Sequence, residues 1–593
     1  MPPIKVSLLN RVWEVKRGDN LLEALRREGI EINSYCGGMG SCGKCVVKIK
    51  GEGVSSPNSL EERHLKEKIK EGFRLACQVE VYGEIEVDVS PSLASQVEVI
   101  VKTQEARPEE LPVQQTEVNL VKPPVDGVSS LQETLASQVQ GENKKWSLSA
   151  LYHLSHLGEE RESTFEVVTD EEKIRYVNKP SSDKSFLGMA FDLGTTTIGG
   201  ELVDLISGTS LHRLGNLNRQ AQFGADVISR LRAIQDDPHN LYRLQELLVH
   251  TMNDLIQEAC EKANKNPERI FAITAAGNTI MEHIFLGVSP LSIGVAPYTP
   301  VFREEQVLDA KELKLVVNPE AQVYIFPSWA GYVGGDIISG VAAFDLTEKK
   351  ELVLYVDIGT NGEIVLIDRE NIFCCGTAAG PAFEGAQIKY GTRATLGAIS
   401  AVETEDGDIK IYTIGDLAPR GICGTGLIDA LACFLKEDLL SPTGRLKEDG
   451  KWGARLIKEG DSRAFLLSYN PPIFITQEDI SQLQLAKAAI QAGREILLEE
   501  AGRKEEEIEE VILAGAFGNF INPESAATIG LIPRGVKTIS VGNASLYGAK
   551  KALLSRNFRQ KVKVLSKKAH YVELSARSDF SDHFYQSLIF HQA

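Results

Sequence analysis

Near the N-terminus apolar residues alternate with polar ones in short bursts, the pattern of half-buried strands. Ile4, Val6 and Leu8 alternate, and Val12 to Val15 answer them across a turn at Asn10–Arg11, which predicts two strands. Asn20 followed by Glu23 is a capping-box pair; Leu21, Leu22 and Leu25 form the apolar face of a short helix that Gly29 stops. A glycine-rich loop leads into a strand over 46–50, and a longer alternating strand is expected over 79–89. Periodicity is lost over 94–126, where Pro108, Pro112, Pro123 and Pro124 predict a semi-rigid linker. Next come a helix-like stretch with Leu131, Leu135 and Val139 at four-residue spacing, a second over 147–156, and strands over 165–168 and 174–177, so 127–184 reads as a small middle domain. Beyond about 185 strands and helices alternate, the pattern of a layered α/β fold. Late in that region Thr476 and Asp479 form a cap-like pair, and Leu483, Ala486, Ala489 and Ile490 recur at helical spacing to about 500.

Length and composition bound these elements. At 593 residues the chain needs several domains, and 43% hydrophobic with 25% charged residues excludes wholesale disorder and a fibrous repeat. Lys and Arg number 64 against 82 Asp and Glu, a net charge of −18, which argues against nucleic acid or an anionic membrane as partner. No apolar run reaches the ~18 residues of a membrane span. The opening MPPIKVSLLN lacks an apolar signal core, so a cytoplasmic location is expected.

Four of the nine cysteines are grouped. Cys36, Cys42 and Cys45 lie in the loop CGGMGSCGKC with spacing C-x5-C-x2-C, and Cys77 follows after 31 intervening residues. Three thiolates from one loop and a fourth from a distant segment can hold a [2Fe–2S] cluster. Gly37, Gly38, Gly40 and Gly43 would let backbone N–H groups approach its sulfurs. The alternative is a structural zinc site, which usually pairs two short knuckles; Cys36 and Cys77 form no second knuckle. Strand, helix, cysteine loop, strand and the RLACQ stretch around Cys77 together resemble a ferredoxin over about 1–93, with a first spacing closer to the adrenodoxin type than the plant type. Cys260, Cys374, Cys375, Cys423 and Cys433 are scattered and read as buried thiols.

The large C-terminal region lacks GxxxxGK[ST] but carries another phosphate-binding device twice. In FDLGTTTIGGELVD, Asp192, Gly194, Thr195, Thr196 and Thr197 sit at a tight turn between apolar runs; in LYVDIGTNGEIVLID, Asp357, Gly359, Thr360, Asn361 and Gly362 do the same. Each stretch places a carboxylate at the end of a buried strand, where it can hold Mg²⁺, and follows it with amides and hydroxyls that can wrap phosphate oxygens. A lone D-x-G turn is common hairpin chemistry; two copies, with a third strand EVILAGAFG running into Gly515 and Gly518, resemble the acetate/sugar kinase, heat-shock chaperone and actin superfamily over about 186–593. That resemblance implies two phosphate loops, a glycine turn under the adenosine, and ATP held between two subdomains. Glu384 and Arg420 stand in small-residue surroundings as groups that order Mg²⁺, water or a domain interface, or that merely satisfy turns. His283 reads as packed or surface rather than as a ligand.

The expected architecture is thus α/β and multidomain: a β-grasp ferredoxin domain (1–93), a linker (94–126), a small middle α/β domain (127–184) and a two-subdomain actin-like ATPase (185–593). In this order the chain resembles the reductive activators of corrinoid proteins. The resemblance implies ATP-dependent transfer of one electron from a [2Fe–2S] cluster on Cys36, Cys42, Cys45 and Cys77 to the inactive Co(II) corrinoid of a partner protein. It further implies Asp192 and Asp357 as catalytic carboxylates, a low-potential electron donor and a homodimer. Two other readings stand beside it: a small-molecule kinase with a redox-regulatory ferredoxin domain, and a non-catalytic ATP-binding redox sensor.

Overall fold

The computed structural model describes residues 3–6, 11–28, 30, 32, 40, 43, 45–89, 104–121, 130–139, 144–157, 162–359, 361–385, 387–405, 407–447, 451–460, 462–515 and 520–590. The chain divides into two units, Met1–Glu98 with Asn218–Leu247, and Val99–Leu217 with Leu248–Ala593.

In the first unit a five-stranded sheet runs in the spatial order Arg11–Glu14, Pro3–Val6, Ile85–Asp88, Val46–Lys50, Phe73–Leu75. Pro3–Val6 and Ile85–Asp88 are parallel; the other neighbours are antiparallel. The helix Leu21–Arg27 buries Leu21, Leu22, Ala24 and Leu25 in a core shared with Val47, Leu75 and Val87, the β-grasp arrangement. Asn20 Oδ1 accepts from the backbone N–H groups of Leu22 and Glu23, at 3.1 and 3.3 Å, and starts that helix. Gly29, the expected stop, lies outside the described residues. The single strand expected over 79–89 is two, Glu80–Val81 and Ile85–Asp88. Between them Tyr82 N and Gly83 N both donate to Gly53 O, and a backbone pinned there cannot continue the ladder.

The second unit begins with a four-stranded sheet in the order Gln114–Val121, Glu162–Thr169, Lys173–Asn178, Lys145–Trp146. Its first strand lies within the stretch read from sequence as linker. Val118 and Leu120 face a core with Phe165, Val167, Ile174, Leu135 and Leu154, and eight residue pairs with Glu162–Thr169 stabilise a segment whose own Gln- and Glu-rich composition conceals it. The preceding backbone is also tied down: Lys550 Nζ donates to Glu105, and Glu109 N donates to Leu554 O.

Two six-stranded sheets follow. The first has the order Ser210–Leu217, Thr197–Asp204, Leu187–Leu193, Ile270–Gly277, Gln322–Ile325, Gln306–Asp309; the second, Ala569–Tyr571, Asn371–Thr377, Gly362–Asp368, Leu352–Ile358, Glu510–Ala514, Lys537–Gly542. Read by chain order within each repeat, five strands of each sheet follow 3-2-1-4-5, with strands 1, 2 and 3 antiparallel and strands 1, 4 and 5 parallel. This duplication is the actin-like fold. The helices Gly335–Ala343 and Ala544–Leu554 pack together, and Ile338, Val341, Ala549 and Leu553 join Ala190, Tyr324, Val353 and Val365 of both sheets in one core. The helix Gln477–Ala501, capped by the Thr476–Asp479 box, covers the other face of the second sheet. Cys374 and Cys375 are adjacent on a strand, so one enters the core between the sheets and the other the core under that helix.

Candidate functional site: a cysteine loop and paired carboxylate hairpins

In the ferredoxin unit, Val46 pairs with Leu75, and Ala76 N donates to Cys45 O at 2.8 Å. Strand pairing therefore brings Cys45 beside the segment that carries Cys77. Both are buried and neither is in a disulfide. A buried ion pair anchors this end: Arg74 donates to both oxygens of Glu61 at 2.9 and 2.8 Å, and Glu61 also accepts from Leu75 N. Gln78 Nε2 lies 3.4 Å from Cys77 Sγ, and Asn20 Nδ2 donates to Cys77 O at 2.9 Å. Two soft thiols on adjacent segments with N–H donors around them fit half of a four-cysteine iron–sulfur site. Cys36 and Cys42 lie outside the described residues.

In the second unit, both D-x-G-T stretches are hairpins whose aspartate sits on the first strand. Asp192 accepts from Asn543 Nδ2 at 2.7 Å and Ser545 Oγ at 2.8 Å, which fix its carboxylate. Asp357 lies opposite Glu363 on the second hairpin and beside Ala514 on the parallel strand. Gly515, the next residue, has φ +91, and a Cβ there would lie 2.7 Å from Asp357 Oδ1, so only glycine brings that turn against the carboxylate. Gly194 is likewise required: a Cβ would meet Thr197 O at 2.3 Å. Asn278 Nδ2 donates to Thr195 Oγ1, and Thr196 Oγ1 donates to Glu384 at 3.1 and 3.3 Å. Thr197 opens the return strand; on the second hairpin Gly359 N donates to Asn361 O at 3.0 Å. Thr360 and Gly518 lie outside the described residues, and Arg420 is exposed.

The structure adds carboxylates that no sequence motif assigned. Asp336 lies in the first turn of the helix Gly335–Ala343, and Glu363 lies buried on the second hairpin. Desolvation pushes Asp357 up to about 7, with Asp192 adding to it. Burial raises Asp336 well above the usual range, reinforced by Asp357 and Asp192, and raises Glu363, reinforced by Asp336 and Asp357. Asp192 is raised by burial against its two hydrogen bonds. Among the described residues no lysine or arginine ion-pairs with any of these four. Buried carboxylates that raise one another's pKa and have no cationic partner among the described residues are oxygen donors of the kind a hard divalent cation takes directly or through bound water, which fits Mg²⁺. His283 is packed instead: Nδ1 meets Thr279 O, Nε2 accepts from Val301 N, and the ring stacks on Phe302.

Without a cation this cluster makes stability depend on pH in a definite direction. Between the ordinary carboxyl value of 3.8 and about 7 the folded chain holds the Asp357 proton that the unfolded chain has lost. Stability therefore falls as pH rises through that interval, and Mg²⁺, which favours the ionised form, removes the fall. Thermal melts over roughly pH 5 to 8 with and without Mg²⁺ test this; equal slopes would show that the cation does not bind these carboxylates.

Comparison with known proteins agrees with both halves. Residues 6–82 match the 2Fe-2S iron-sulfur cluster binding domain, 187–349 the RACo middle region, and 351–593 the C-terminal domain of RACo, the ASKHA domain. The corrinoid activation enzyme RamQ of Eubacterium limosum is 31% identical over 599 residues, covering 98% of both chains. The [Co(II) methylated amine-specific corrinoid protein] reductase of Methanosarcina barkeri is 26% identical over 433 residues, 67% of this chain and 76% of that one. A solved structure, the reductive activator for corrinoid,iron-sulfur protein, superposes with a TM-score of 0.73 at 35% identity, covering 100% of this chain and 98% of its own. With Cys45 and Cys77 brought together by a β-grasp sheet, a duplicated actin-like core and relatives matched end to end, the chain belongs to the family of reductive activators of corrinoid proteins.

Proposed function

We propose that this protein restores a partner corrinoid protein from Co(II) to Co(I) with one electron from its own [2Fe–2S] cluster, in a reaction that depends on ATP. The observation that carries the reading is one chain with both a cysteine site on a ferredoxin sheet and carboxylate-lined hairpins on a duplicated ATPase core. Cys36, Cys42, Cys45 and Cys77 would hold the cluster; Asp192 and Asp357, with Asp336 nearby, would hold Mg²⁺ directly or through water. When bound, the cluster supplies a one-electron carrier and Mg²⁺ a counter-charge for the triphosphate. The backbone amides and hydroxyls of Gly194 to Thr197 and Gly359 to Asn361 would wrap the phosphates, and Gly515 and Gly518 would lie under the adenosine. Asp192 and Asp357 are the catalytic pair in this reading, one on each hairpin. A low-potential donor, a homodimer and a cytoplasmic setting belong to the same proposal, supported by family membership.

The magnitudes allow such coupling. An uphill electron costs roughly 2.3 kcal/mol per 100 mV, and conformational coupling supplies about 1–3 kcal/mol. A nucleotide-biased change of partner contacts can therefore support a transfer unfavourable by about 100 mV. The test is the visible spectrum of a Co(II) corrinoid protein incubated with this protein, reductant and ATP. Appearance of Co(I) only with ATP is expected. Reduction at the same rate and extent without ATP, or ATP turnover stimulated by a sugar or acid instead of the corrinoid protein, would overturn the reading.

A further inference from the structure

Gln78 follows Cys77 in the chain, and its orientation is set by a relay of hydrogen bonds. Asn58 caps the helix Ser59–Leu65: its Oδ1 accepts from Leu60 N and Glu61 N, both at 3.0 Å. That bond fixes which end of the Asn58 amide is oxygen, so its Nδ2 donates outward, to Gln78 Oε1 at 2.9 Å. With Oε1 facing Asn58, Gln78 Nε2 is turned to Cys77, 3.4 Å from Sγ and 3.2 Å from the carbonyl oxygen. Gly40 also lies against this amide. Its φ is +75, and a Cβ there would lie 2.9 Å from both Gln78 Cδ and Nε2. Gly40 therefore packs directly on the amide.

We infer that Gln78 is the side-chain donor that sets the reduction potential of a cluster held at Cys77, and that Asn58 is its positioning residue. An N–H directed at a ligating sulfur offsets negative charge there, so it favours the reduced state, which carries one more electron, and raises the potential. Gln78 acts on the sulfur and Asn58 acts only through Gln78. The inference rests on the cluster assignment of the proposed function; it rests on neither the ATP nor the corrinoid reading.

The experiment is an EPR-monitored redox titration of the full chain. Gln78→Leu removes the donor at similar volume. Asn58→Asp keeps the cap acceptor but cannot donate to Gln78. At a fixed solution potential, Gln78→Leu is expected to raise the oxidised-to-reduced ratio about tenfold, a midpoint lower by ~59 mV for one electron. Asn58→Asp shifts it the same way, and adds little in the Gln78→Leu background. An unchanged midpoint in Gln78→Leu would overturn the inference. So would an Asn58→Asp shift of full size in that background, which would be a charge effect, or loss of the cluster from both variants, which would make the relay an assembly element. A wild-type protein without an iron–sulfur signal is a different failure, that of the cluster assignment itself.

Discussion

Asp357→Asn is expected to lower ATP turnover by about 10²–10³-fold while leaving the iron–sulfur spectrum unchanged. Asparagine keeps the shape of the side chain on Leu352–Ile358 but removes the charge that would hold Mg²⁺ against the terminal phosphates. A second signature separates this from simple damage. Desolvation and Asp192 together make an ionised Asp357 costly, which is why its carboxyl is pushed up to about 7. Removing that charge relieves the cost at neutral pH, so the cation-free variant should melt higher than the wild type. The gain in melting temperature on adding Mg²⁺ should shrink or vanish. Steady-state ATPase rates and melting curves with and without Mg²⁺ decide it. Undiminished hydrolysis would remove Asp357 from the site.

Cys77→Ala should abolish the visible and EPR spectra of the cluster, and electron transfer with them, while ATP turnover persists. The local fold should survive, because what positions residue 77 is not its thiol. Asn20 holds its carbonyl, Ala76 N holds Cys45 O, and the buried Arg74–Glu61 pair fixes the strand before it. The thiol itself is buried, and alanine at that place leaves three cysteines of four for the cluster. Bound iron and absorbance measure the loss; circular dichroism checks the fold. A retained cluster would show that Cys77 is not a ligand. Lost ATP turnover would show that the two modules do not operate independently.

What was legible in the sequence was local. The cysteine spacing, the two D-x-G-T turns and the Thr476–Asp479 cap each act over a few residues, and a hairpin turn dictates its own residue types wherever it occurs. Asp336 shows the limit. Nothing within reach along the chain ties it to Asp192 or Asp357. Their coupling arises because the helix Gly335–Ala343 is packed between the two sheets, so that its first turn comes within electrostatic range of the hairpin aspartates. Glu363 is similar: it becomes a partner of Asp357 only through the antiparallel register of the second hairpin. Gln114–Val121 was hidden for another reason. Its composition suits an exposed connector, and only pairing with Glu162–Thr169 makes it a strand.

By itself, then, the sequence determined the chemistry this chain can perform and the turns on which that chemistry is mounted, because thiolates, carboxylates and glycines declare themselves by type and spacing. The tertiary structure alone decided which carboxylates share one electrostatic neighbourhood, which segment beyond the cysteine loop orients the amide beside Cys77, and where connector ends and sheet begins. Those outcomes depend on strand register and helix packing between residues far apart in the chain, and short-range patterning carries no record of either.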